Sequence, residues 1–459
     1  MDHHALKGQV GVRIPPKSLL AFVGCVIGCG LSIVRADDWP QWMGSQRDGI
    51  WRESGIIDRF PDGGPKVRWR VPVGAGYSSP SVAGGKVFVL DRRVKQGTSR
   101  PPSPFARIST PGVERVLCLD ESNGKTLWMQ KYSCDYTMSY NAGPRAAPTV
   151  DGGKVYTLGA EGDLQCRQVE DGRLVWQKHL GGEHTPMWGF AASPLIEGDK
   201  LIAIGAAPAG TVLAFNKETG QSVWQAIPAG EPGYSSPIVI EAGGKRQLIV
   251  WNPKSLNSLN PDTGKVYWSE PFTCQSGMSI ATPRRSGDLL LVSAFYNGAL
   301  MMRLDPERPA AERLWKMGGK NERNTAALHT VMCTPAIQGD FIYGVCSYGQ
   351  LRCLKARTGQ RVWETFAATT GEAGPVRWAN DFIVANGGRF FLFNENGDLI
   401  IARFTPDGYQ EISRTHLIDP TNLDPGRPVV WCQPAFANRC VYVRNDKELL
   451  CASLAADAR

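Results

Sequence analysis

A tryptophan closes each of six successive segments, at Trp128, Trp176, Trp224, Trp268, Trp315 and Trp363, and prolines open most copies, at Pro80, Pro148, Pro194, Pro237, Pro283, Pro335 and Pro434. The spacing of roughly 40 to 50 residues is that of one four-stranded blade, and a fixed period restricts the chain to a ring or array of such units. The copy from Ala191 to Trp224 is the cleanest. Ser193-Pro194-Leu195-Ile196 opens one strand, Glu197-Gly198-Asp199-Lys200 turns into Leu201-Ile202-Ala203-Ile204, a Gly-containing loop leads to Thr211-Val212-Leu213-Ala214-Phe215, and Glu218-Thr219-Gly220 reverses the chain into a strand ending at Trp224. Short apolar runs between Gly, Asn and Asp turns read as one antiparallel sheet.

Ala379-Asn380-Asp381-Phe382 begins a degenerate copy between the last two prolines, which brings the count to eight. The eighth copy has three strands and lacks a tryptophan strand, and Lys66-Val67-Arg68-Trp69-Arg70-Val71 supplies one ahead of the first blade. Pairing the N-terminal strand with the C-terminal three buries the open sheet edges. The sequence therefore predicts an all-β, eight-bladed β-propeller of four-stranded antiparallel blades over residues 66–459, preceded by a cap segment at 37–65 and a signal peptide at 1–36.

The export signal rests on basic Lys7, Arg13 and Lys17 before the apolar run Leu19 to Gly28, and on Val34-Arg35-Ala36, which predicts cleavage after Ala36. Acylation at Cys25 or Cys29 is the lipoprotein alternative. No other stretch is apolar enough to span a bilayer, so the mature chain is expected in the periplasm or outside the cell, without a transmembrane segment. The net charge of +8 contains no dense basic run, which argues against a nucleic-acid track.

Twelve cysteines in an exported chain invite a disulfide framework. The repeat argues otherwise. Cys118, Cys166, Cys353 and Cys451 share one repeat column, Cys333 and Cys432 a second, and Cys134 and Cys274 a third. Members of one column are spread around the ring, so buried thiols at small-residue positions are expected, with Cys346 and Cys440 unassigned.

Asp38 to Gly49 carries aromatics and turn residues without strand alternation. It is expected to fold across a face or the rim of the ring, burying Trp39, Trp42 and Trp51, with a ligand lid as the sharper alternative. Blade one carries an insertion from Val94 to Val113 whose Pro101-Pro102-Ser103-Pro104 marks a surface loop. In the last hairpin of a blade, such as Asp120 to Trp128 or Asn260 to Trp268, the Gly permits positive φ and the Trp packs against the next blade. Trp69, Trp128, Trp176, Trp224, Trp268, Trp315 and Trp363 are thus structural docking residues.

The repeated Asp or Asn, then Thr-Gly, then Trp four residues after the Gly resembles the tryptophan-docking repeat of the pyrroloquinoline-quinone (PQQ) dehydrogenase superfamily. That superfamily also contains non-enzymatic outer-membrane assembly lipoproteins of the BamB type. Trp39-Pro40-Gln41-Trp42, Arg47-Asp48-Gly49, Asn394 to Ile400 and Val443 to Glu448 are similar to secreted PQQ-like repeat proteins. The resemblance implies the propeller fold; fold does not fix function.

In the quinone dehydrogenases the cofactor stacks between a tryptophan and a ring of adjacent disulfide-bonded cysteines, with Ca²⁺ held by Glu, Asn and Asp. This chain has no Cys-Cys pair and no Cys-x-x-Cys-His. Asp381 is the one weak catalytic candidate, with Asn380 beside it as a calcium ligand, although a strand opening suits a surface or turn role better. His184 and His329 are far apart, and no metal-spaced Cys/His cluster occurs, so no metal site is expected.

A rim remains. The position three residues before each opening Pro is Tyr77, Arg145, Ala191, Tyr234, Ile280, Met332 or Trp431, with Trp188, Arg284, His329, Arg377 and Trp378 nearby. Tyr77, Arg145, Trp188, Tyr234, Arg284, His329, Trp378 and Trp431 are the expected ligand or partner rim, a mixture that suits a peptide strand, a planar ligand or a carboxylate. The sequence thus favours an exported binding or assembly scaffold with a protein or peptide partner and no cofactor. The alternative is a PQQ- and Ca-dependent alcohol or sugar oxidoreductase.

Overall fold

Seven blades begin with a strand just after an opening Pro, because proline fixes φ and lacks the N–H that a ladder partner would use, and blade 7 begins at Asp381 without one. In the computed structural model, which describes residues 37–99, 101–181, 185–207, 210–228, 230–423 and 426–457, these eight starts lead into eight four-stranded antiparallel sheets. The proposed signal peptide, with Cys25 and Cys29, and His184 lie outside the described residues.

Blades 1 to 6 run from Ser81–Ala83 to Thr126–Ser133, Thr149–Asp151 to Leu174–His179, Leu195–Glu197 to Ser222–Ala226, Ile238–Ala242 to Val266–Pro271, Arg284–Ser286 to Ala311–Met317, and Ala336–Gln338 to Arg361–Thr365. Blade 7 runs from Asp381–Asn386 to Gly408–His416. Blade 8 joins Ala435–Ala437, Cys440–Arg444 and Glu448–Ser453 to the N-terminal strand Val67–Pro72, with Arg70 opposite Leu450 and Val71 opposite Leu449. Among the described residues no helix is long and apolar enough to cross a membrane.

The joints explain the tryptophan period. The Trp69 ring N–H donates to the Glu121 carbonyl of blade 1 at 2.8 Å, and Trp128 to Val169 of blade 2 at 2.9 Å. Trp176, Trp224, Trp315 and Trp363 repeat this with Lys217, Pro261, Ala356 and Thr405 of the following blades. Beneath the first ring lies Gly124 at φ 75°, where a Cβ would stand 2.8 Å from Trp69. The turn therefore requires glycine for its conformation and for the indole lying on it.

Two joints depart from the pattern. Blade 5 has Asp305-Pro306-Glu307-Arg308 where its neighbours have a glycine turn. Trp268 accordingly bonds Gln247 of its own blade at 3.1 Å, while its ring still packs on the core shared with blade 5. In blade 7 the tryptophan position is Ser413, opposite Ile401. The N-terminal segment reaches this joint, where the Phe60 amide donates to the Ser413 hydroxyl at 3.1 Å and Phe60 enters the core.

The ten cysteines among the described residues are free and buried. Cys346 and Cys440, which the repeat left unassigned, accept hydrogen bonds from the His329 amide and from the Arg68 guanidinium.

Candidate functional site

The innermost strands run along the axis of the ring. Residues just before the opening Pro therefore gather at one mouth of the channel, and residues about two positions after it gather at the other.

The N-terminal segment closes the second mouth. Trp39 pairs with Val82 of blade 1, the Pro40 carbonyl accepts from Val150 of blade 2, Ile50 bridges Ala385 of blade 7, and Trp51 packs on Phe436 of blade 8. The Arg47 guanidinium is buried and donates to the Pro194 and Ser193 carbonyls at 2.7 and 2.9 Å and to Gln41 at 3.1 Å. Burial pulls its pKa down to about 9. Trp39 and Trp51 are buried as expected, but Trp42 is only half-buried. Its ring N–H donates to Thr282 of blade 5 at 2.9 Å, and its face forms the floor of an axial cavity open at the first mouth.

This cavity has a volume of about 400 Å³. Tyr77, Arg145, Tyr234 and Trp431, all three residues before an opening Pro, line it, as do Ala191, Ile280 and Met332 in the same repeat position. Trp188 and Trp378 of the expected rim join them, with Arg377. Phe105, Tyr140 and Tyr296 complete the aromatic wall without any repeat signal to announce them. Phe105 projects from the blade 1 insertion and packs on Tyr140 at 5.3 Å and on Trp378 at 6.3 Å, so the insertion reaches the mouth at this residue.

Three lining residues are held in the left-handed region: Tyr140 and Ser276 at φ 54° and Trp378 at φ 64°. Such conformations cost about 1–3 kcal/mol each and cluster where a side chain must be aimed. Arg377 lies 4.4 Å over the Trp378 ring and is paired with Glu322 at 2.7 Å. Arg145 stands 5.2 Å from the Tyr77 ring and donates to the Gly143, Ser139 and Tyr140 carbonyls; among the described residues it has no carboxylate partner. Trp431 donates to Glu395 at 2.9 Å. Burial raises the Glu395 carboxyl, with Arg427 acting against the rise.

Two expected rim residues lie elsewhere. Arg284 follows its Pro by one residue, four beyond the rim position, which at about 3.3 Å per residue carries it toward the sealed end. There it is buried near Gly49, and burial lowers its pKa to about 10 despite Asp48. His329 is fully buried, with Nδ1 at 2.9 Å from the Phe295 carbonyl, and burial lowers its pKa to about 4. It is a neutral packing residue between blades 5 and 6.

Asp381 also departs from expectation, being neither at the surface nor in a turn. Its neighbour Phe382 lines the cavity, and strand alternation sends Asp381 the other way, into the blade. The carboxyl is fully buried without a hydrogen-bond partner in good geometry, and burial raises its pKa well above the usual range, with Arg414 opposing.

Among the described residues no group of three or more His, Cys, Asp or Glu is placed to hold a metal. Among the described residues that line the cavity there is no Asp, Glu, Asn or Cys. It does not match the calcium ligands and cysteine ring of the quinone dehydrogenases.

The family model described as outer membrane protein assembly factor BamB matches residues 112–365. A BamB of Yersinia pestis is 27% identical over 289 residues, covering 59% of this chain and 66% of its own. One from Shewanella oneidensis is 23% identical, covering 65% and 60%. The chain thus spans a little under two thirds of these relatives. Among solved structures, BamB from Moraxella catarrhalis superposes with a TM-score of 0.50 at 15% identity, over 81% of this chain and 99% of its own. The quinohemoprotein alcohol dehydrogenase of Comamonas testosteroni gives 0.55 at 13%, over 92% and 81%. At these identities the structural likeness concerns the fold alone.

Proposed function

Because the chain belongs to the family described as outer membrane protein assembly factor BamB, we propose that it is an exported assembly scaffold that engages a protein partner at the mouth of its axial cavity, without bound quinone. The observation that carries this reading is the cavity itself: a wall of tyrosine, tryptophan and arginine over a sealed floor, with no carboxylate among its described lining residues. Aromatic and arginine side chains are the residue types enriched in protein-binding hot spots. The relatives' name supports a protein partner, and a periplasmic setting follows from the signal reading of residues 1–36. Attachment by acylation at Cys25 or Cys29 belongs to the same proposal as its less favoured variant.

The test is the absorbance spectrum and metal content of the protein purified from its exported compartment, before and after addition of PQQ with Ca²⁺. The scaffold reading expects no stoichiometric uptake, together with a partner retained in cross-linking and lost in Tyr234→Ala. A stoichiometric quinone band with bound Ca²⁺ would sink it and favour the oxidoreductase.

A further inference from the structure

We propose that the axial cavity receives the free C-terminal end of a polypeptide, with the α-carboxylate on Arg145 and an aromatic or branched apolar last side chain in the well above Trp42. The inference rests on the scaffold reading and narrows its partner to a chain end.

The cavity is blind. Trp42 closes it and is fixed by Thr282, so a chain cannot thread the ring and only a terminus or a side chain can enter. At about 30 Å³ per water, its roughly 400 Å³ corresponds to about a dozen waters, room for a terminal residue or two.

Charge selects which terminus. Among the described residues the lining holds two cations, Arg145 and Arg377, and no carboxylate. Arg377 is neutralised by Glu322, whereas Arg145 is oriented by three backbone carbonyls that leave its charge intact. Those three bonds use three of its five N–H donors, which leaves two for a ligand. An α-ammonium is repelled at such a site, and an α-carboxylate gains a charge-assisted hydrogen bond. The nearby Glu395 carboxylate is already held by Arg427 and Trp431.

Apolar surface continues outward. Phe105 and Met187 line the mouth, yet they are 51% and 42% exposed. They offer a landing for the residues that precede the terminus, as expected of a site that takes the end of a longer chain.

The experiment titrates the purified full-length protein into an N-terminally fluorescein-labelled Gly-Ser-Gly-Ser-Leu-Phe, once with a free C-terminal carboxylate and once as the amide, and follows anisotropy. Saturable binding of the acid form, with the amide at least about ten-fold weaker, is expected. Arg145→Gln should bring the acid form down to the amide's affinity, and Arg145→Lys should restore part of the difference. The acid-to-amide comparison needs no variant, so a folding defect in Arg145→Gln cannot mask the result. Equal binding of acid and amide, lost in Tyr234→Ala, overturns the chain-end inference and leaves the scaffold reading standing. Absence of acid-form binding up to about 1 mM also overturns the inference. If stoichiometric PQQ and Ca²⁺ bind instead, the scaffold reading falls with it.

Discussion

At the sealed end of the channel, Trp39, Trp51 and Arg47 are almost wholly buried, and the segment carrying them touches blades 1, 2, 3, 5, 7 and 8. At the open end, Trp188, Trp378 and Trp431 keep part of their surface in solvent; residues at positive φ occur at both ends, Met43 and Arg47 at the sealed one and Tyr140, Ser276 and Trp378 at the open one. Both ends are rich in tryptophan and arginine. The difference lies in what the side chains face: neighbouring blades in one case, an open well in the other. Residue type alone therefore says little about whether such a cluster stabilises the ring or binds a ligand, and burial with partnering decides.

The contrast can be broken most directly at the sealed end. Trp51→Ala removes a fully buried indole packed on Phe391 and Phe436, and should cost about 3–5 kcal/mol in urea denaturation. A loss below about 1 kcal/mol would mean that the cap is dispensable.

The wall between the two ends gives an effect of opposite sign. Asp381 has a folded-state pKa raised well above 3.8, so the folded chain keeps a proton that the unfolded chain releases. Its contribution to stability falls as pH rises from about 4 through the folded pKa. Asp381→Asn should flatten that slope and stabilise the protein at pH 7 by about 1–3 kcal/mol, the scale of an unsatisfied buried polar group. Denaturation curves at several pH values provide the check, and destabilisation at pH 7 would indicate that the carboxylate is stabilised by a partner.

The smallest stability effect is expected at the open end. Trp378→Gly deletes an indole but relieves a left-handed backbone, so its stability change should stay within about 1 kcal/mol. The same variant should weaken binding of the acid-form peptide by about ten-fold. A large stability loss with unchanged binding would make the open end resemble the sealed one.

Much of this was legible in the sequence because a repeat column fixes depth along the channel axis. Tyr77, Arg145, Tyr234 and Trp431 share the position three before a Pro, and they meet around one cavity. Arg284 was misplaced because nearness to the rim in sequence ignored the rise of the strand. His329 lies in a loop whose path no column describes, and it turned inward to Phe295. Phe105, Tyr140 and Tyr296 stand outside the repeat columns, and Phe105 belongs to a Pro-rich insertion whose period is undefined. Trp268 shows a quieter failure: its own segment fits the repeat, and the departure comes from Asp305-Pro306 in the blade that should have received it.

That departure has a mechanical consequence. A closed ring can loosen only if it yields at two places, as a bracelet opens at a clasp and bends at a hinge. The clasp is blade 8, where strands from opposite ends of the chain are held together without a covalent connection across their pairing. The hinge is the joint of blades 4 and 5, nearly half a turn away, where Trp268 lacks the interblade hydrogen bond made by the other six docking tryptophans. Under native conditions amide hydrogens of Val266–Pro271 should exchange faster than those of the matching strand Leu174–His179, dividing the ring into two semicircles that breathe against each other.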